Sequence, residues 1–111
     1  LKTNRVRTFL LEKAAMNLVY ILHSLKLNRF YIGYTSNFDL RFDFHLNSND
    51  HSKFTSKADD WTISLKIECK SKPQALAIEK HIKKMKSKMY IQNLISYPEM
   101  VNKLLEKYLN C

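Results

Sequence analysis

Five side chains stand out for the chemistry that their types and spacing allow. Tyr20 and Tyr31 lie eleven residues apart, each inside an apolar run; Arg41 follows Tyr31 by ten residues and His45 follows Arg41 by four. Glu79 comes later, in a segment rich in lysine. An arginine carries permanent charge on a planar fork that can hold two phosphate oxygens at once. Arg41 and His45, four apart, project from one side of a helix, beside an apolar stripe that includes Phe38 and Phe42. Taken alone, Arg41 is a surface residue whose stem covers apolar surface, and His45 a partly buried histidine with its hydrogen bonds met. Glu79 borders a helical stripe formed by Ala75, Ile78, Ile82 and Met85. A carboxylate there needs a partner: a lysine, an arginine such as Arg41, or a metal ion. The plain alternative is a structural ion pair. The two tyrosines, taken alone, are packing residues of a sheet. Each signal is weak; their order and spacing together are more specific.

The elements that must position these groups can be read from the same rows. Residues 17–23 form a continuous apolar strand, a pattern that suits burial on both faces and a central place in a sheet. Residues 24–28 make a turn and 29–34 a second strand rich in aromatic and branched residues. Gly33, the only glycine, sits in that strand, where a lone glycine marks a bulge or a close backbone approach. Ser36 or Asn37 caps a helix running to about Asn47, and a long polar loop covers 48–60. Between Trp61 and Cys69 the sequence alternates, so Trp61, Ile63, Leu65 and Ile67 are expected on one face of an edge strand. Ser71 caps and Pro73 opens the next helix, to about Lys86. Ser87 caps a further helix over 88–96, and Pro98 stands in the first turn of a last one ending near Leu109. The order β-β-α-β-α-α-α gives an α+β fold: a small three-stranded antiparallel sheet flanked by helices.

Composition bounds the partners. At 111 residues and 45% hydrophobic content the chain holds one core. Its net charge of +9 and pI of about 9.6 call for a polyanion, most simply nucleic acid. Lys80, Lys83, Lys84, Lys86 and Lys88 form a basic run that cannot share one helix face. As a solvated surface it needs no explanation; with other cations it can rim a cleft that tracks phosphates. Arg29, Lys53, Lys57, Lys80, Lys83 and Lys84 are the candidates for that contact. Cys69 and Cys111 lack metal-ligand spacing or a disulfide framework, so a reduced, cytoplasmic chain is expected. No apolar run is long enough to span a membrane. Met16 directly precedes the first strand, which makes residues 1–15 an N-terminal extension, a candidate vector-derived or upstream-translated segment, and 16–111 the single domain. Without that extension the charge is still +6. The apolar residues of 88–109, among them Tyr90, Leu94, Met100 and Leu105, read as packing residues, with a weak homodimer as the alternative to a monomer.

From Met16 to Ile95 the chain resembles the GIY-YIG nuclease superfamily, in particular small standalone bacterial members similar to the nuclease module of the excision-repair endonuclease. Tyr20 matches the tyrosine of the first motif element and Tyr31 that of the second. Arg41, His45 and Glu79 match the helix arginine, the following His-or-Tyr position and the metal-binding glutamate. Two positions depart: Val19 replaces the first glycine, and Tyr34 stands where the repair module has a lysine. The resemblance implies hydrolysis of phosphodiester bonds in DNA, structured or damaged, by an endonuclease using one Mg²⁺ or Mn²⁺ held by Glu79. It implies that Tyr20 positions the attacking water or takes its proton, which a phenol does at neutral pH only beside positive charge. Arg41 would neutralise the phosphate, and Tyr31 and His45 would hydrogen-bond the water, the phosphate or Tyr20. The alternative is a module of the same fold that grips nucleic acid without cutting it.

Overall fold

A computed structural model of the chain describes residues 17–37 and 58–111. The predicted extension over 1–15, the predicted helix over 38–47 and most of the predicted polar loop lie outside the described residues. Among the described residues three strands are followed by three helices: β1 (Asn17–Ser24), β2 (Arg29–Thr35), β3 (Thr62–Cys69), α1 (Lys72–Met85), α2 (Lys88–Ser96) and α3 (Pro98–Lys107).

The sheet is antiparallel, in the order β2-β1-β3. β1 is central because Val19, Tyr20, Ile21 and Leu22 are all fully buried, two on each face. The hairpin turn is closed by Asn28, whose φ of 52° is left-handed, a conformation that asparagine tolerates better than most residues. Ser24, at the end of β1, ties this turn to the residues before β3. Its hydroxyl donates to Asp60 at 2.6 Å and accepts from the Leu27 amide, while Asp60 also accepts from the Lys26 amide at 2.9 Å. The hydrogen bond from Ser24, then that from the Lys26 amide, hold the Asp60 carboxyl below the ordinary carboxylate range.

One expectation about β3 is overturned. The pairing of β3 with β1 shifts between Ile21, opposite Leu65, and Leu22, opposite Ile63. Ser64 is therefore an extra residue, a β-bulge. A bulge reverses the inside–outside alternation beyond it, so the stripe divides. Leu65, Ile67 and Cys69 share the Val19 and Ile21 face, while Trp61 and Ile63 belong to the Tyr20 and Leu22 face.

The described helices cover the first of these faces. Ala75, Ile78 and Ile82 of α1 pack with Ile91 and Leu94 of α2 and Leu104 of α3 over Val19, Ile21 and Ile67. Each isoleucine buried there contributes about 1.5–3 kcal/mol. Tyr90, Met100, Leu105 and Tyr108 pack against the same core. Ser71 caps α1, accepting from the Gln74 amide, and Ser87 caps α2, accepting from the Tyr90 amide, both as predicted. Met85 is a correction: expected in the buried stripe, it is 46% exposed, because the chain leaves the helix at Lys86 in a left-handed turn (φ 49°). Gln74 is the reverse, a polar residue that is buried with its needs met. Its side chain accepts from the Lys70 amide and donates to the Leu105 carbonyl. Among the described residues no helix is long and apolar enough to cross a membrane.

Candidate active site

The hairpin register puts both tyrosines on one face, with Tyr20 opposite Gly33 and Leu22 opposite Tyr31. Their ring centroids are 6.3 Å apart at an interplanar angle of 31°. Trp61, brought to this face by the bulge, meets Tyr31 edge-on at 6.5 Å. Tyr20 is fully buried and Tyr31 half-buried, so Tyr31 is the phenol with access to solvent. The expected close approach at Gly33 is present: a Cβ there would overlap the ring and hydroxyl of Tyr20. The glycine is required for space, since its φ is not positive.

Glu79 belongs to the helix layer, which covers the Val19 and Ile21 face of the sheet, so it does not share the face that carries Tyr20 and Tyr31. Its side chain is 19% exposed, and its one ion pair among the described residues is to Lys83 Nζ at 3.5 Å, one turn along α1. Such an i,i+4 pair contributes only a few tenths of a kcal/mol. It leaves a mostly covered carboxylate with a weak partner. The next turn of the helix shows which way this flank looks. Lys83 lines a cleft together with Arg29, Phe30 and Ile32 of β2, so Glu79 and Lys83 lie along the side of α1 that faces the β2 edge.

The donors available for a divalent ion are few. Among the described residues no three His, Cys, Asp or Glu side chains converge to form a cage. Burial pushes the Cys69 thiol up to about 11, which keeps it protonated at neutral pH. A single covered carboxylate with a weak ion pair fits the mode in which Mg²⁺ keeps most of its water and binds through one or two carboxylates and substrate phosphates.

The cleft beside α1 has a volume of about 320 Å³. Of the expected nucleic-acid contacts, Arg29 and Lys83 line it, and Lys86 and Lys88 do so as well. Lys80 and Lys84 are exposed on other parts of α1 and do not line it. Arg41, His45, Lys53 and Lys57 lie outside the described residues. Lys86 and Lys88 could be counted in the basic run, but the left-handed turn that brings them beside Lys83 has no mark in the sequence. Trp61 was legible as a buried residue but not as a neighbour of Tyr31, because its face depends on the bulge.

A comparison with known families matches residues 16–92, more than half of the chain, to the GIY-YIG catalytic domain. No curated protein and no solved structure matches the chain.

Proposed function

The chain belongs to the GIY-YIG catalytic domain family, a nuclease-type family, and from that premise we propose that it is a metal-dependent endonuclease hydrolysing phosphodiester bonds in DNA, structured or damaged DNA included. The observation that carries this reading is the pair of phenols on one sheet face, 6.3 Å apart over a glycine that leaves room for one of them. Packing alone would be served as well by phenylalanine. Glu79 holds one Mg²⁺ or Mn²⁺. When bound, such an ion polarises the scissile phosphate and stabilises the leaving oxygen. Tyr31, the phenol with solvent access, hydrogen-bonds the attacking water or the phosphate. Tyr20, beneath it, fixes that arrangement and takes a proton where positive charge from Arg41 permits. Arg41 neutralises the non-bridging oxygens, and His45 hydrogen-bonds within the same group. The free thiols Cys69 and Cys111 fit a reducing, cytoplasmic setting.

The test is cleavage of branched, flapped and single-stranded DNA with Mg²⁺ or Mn²⁺. Glu79→Ala and Arg41→Ala are expected to lower the rate about 10²-fold or more. A wild type inert on every substrate, or variants that cut as well as wild type, would refute the reading. A second reading, a module that binds nucleic acid without cutting, draws on the complete burial of Tyr20. The same assay separates the two, since only the enzyme forms product when the metal is added.

A further inference from the structure

The cleft between β2, α1 and α2 has two kinds of lining that sort by depth. Ile82 and Ile91 are buried, and Phe30 and Ile32 are half-buried beside them. Arg29, Lys83, Lys86 and Lys88 line the same cleft and are all exposed. The result is an apolar floor with a cationic rim. Phe30 adds an aromatic ring to the floor, 4.7 Å from that of His23. Lys88 is held at the rim by donating to the carbonyl of Asn28 in the hairpin turn. The two aspartates among the described residues are engaged with the hairpin, Asp59 on Lys26 and Asp60 on Ser24.

Cations alone would bind any polyanion, and an apolar groove alone would suit many partners. The combination is more selective. A single strand of nucleic acid offers phosphates to a cationic rim and, unlike a duplex, flat apolar base faces to the floor between them. In a duplex those faces are stacked inside and cannot reach a recess. We infer that this cleft is a docking site for an unpaired nucleotide, its base on Phe30 and the isoleucines and its flanking phosphates on Lys83, Lys86, Lys88 and Arg29. The site lies on the side of α1 that carries Glu79, so a nucleotide held there extends along the β2 edge toward that carboxylate. This inference rests on the nucleic-acid reading above and narrows it: the preferred substrate carries an unpaired segment, as a flap, branch or loop does.

The experiment is fluorescence anisotropy in EDTA, where no metal-dependent cleavage occurs, using a labelled oligothymidylate and an abasic strand of equal length and charge. The wild type is expected to bind the oligothymidylate about tenfold tighter, the order of one stacked base. Phe30→Leu, which keeps the floor apolar, lowers that ratio severalfold. Lys86→Glu, at an exposed position whose fold is checked by its thermal midpoint, weakens the oligothymidylate severalfold. Equal wild-type affinity for both strands overturns the inference, because the surface is then merely cationic. Unchanged binding by Lys86→Glu overturns it too, because the strand then lies elsewhere, and this holds even if Phe30→Leu fails to fold. The nuclease reading fails separately, by absence of cleavage when metal is restored. A protein that cuts but ignores the bases loses only the cleft, and one that prefers bases but never cuts loses only the enzyme.

Discussion

At the scale of single residues, the position that decides most is Gly33. It places no side chain on the sheet, and that space is occupied by the phenol of Tyr20. Gly33→Ala cannot be relieved by moving the end of a flexible side chain, because Tyr20 is fully buried and its ring has nowhere to turn. Overpacking of this kind costs about 1–3 kcal/mol. We expect the variant to unfold at a lower urea concentration with an unchanged denaturant slope, and to lose cleavage as Tyr20 shifts; a wild-type midpoint would mean that the ring yields without cost. The sequence showed that Gly33 mattered but not why, since a lone strand glycine is equally consistent with a bulge. The bulge is at Ser64, on the other side of β1, in a stretch whose alternation looked unbroken. An inserted residue changes which side chains share a face without changing their types, so Trp61 and Ile67 could not be told apart from composition. Glu79 was legible as a carboxylate at the border of an apolar stripe, and among the described residues its one ion pair is to a lysine one turn on.

At the scale of elements, strand and helix positions were largely readable, because caps and prolines are local signals. Ser71, Pro73, Ser87 and Pro98 all stand where the helices begin. The exit from α1 was not readable, because Lys86 takes a conformation in which glycine is the usual residue. A left-handed residue with a Cβ is strained by roughly 1–2 kcal/mol. Lys86→Gly should therefore raise stability by about 1 kcal/mol and the thermal midpoint by several degrees, while weakening oligothymidylate binding through the lost charge. A midpoint that falls would show that the lysine side chain, not the turn, holds α1 to α2. A second joint links α1 to the end of α3, where His81 Nδ1 lies 2.9 Å from the Tyr108 hydroxyl. Burial first, then Lys107 and Lys84, depress the His81 pKa below its ordinary 6.5. In the window between the folded value and 6.5 the unfolded chain binds the extra proton. The stability contributed by neutral His81 is thus full above 6.5 and is lost as the pH falls through the folded value. Thermal midpoints measured from pH 7.5 down to 5 should decline, and His81→Gln should flatten the decline; an equal slope in both proteins would assign it to other groups.

At the scale of the whole molecule, the sheet divides two tasks between its faces. One face supports the helix core, and the other carries Tyr20, Leu22 and Trp61 with Tyr31 at their edge. The basic cleft opens on the helix side of the sheet, between β2, α1 and α2. The net charge of +9 foretold a polyanion partner but not this concentration of cations, which depends on two helices meeting at a tight turn. The distinction has a measurable consequence. Charge spread evenly over a surface is replaceable, so removing three lysines from any part would change binding little and alike. Charge gathered at one cleft is not. For a single strand, log Kobs falls with log salt by about 0.7 per phosphate neutralised. If Lys83, Lys86 and Lys88 each hold a phosphate, replacing all three with glutamine reduces the magnitude of the salt slope by about 2. The matched triple replacement of Lys70, Lys72 and Lys103, which do not line the cleft, leaves the slope as it was. Both triple variants lose the same net charge, so a difference between them reports where the strand lies, and equal slopes would return the basic residues to the role of a solvated surface.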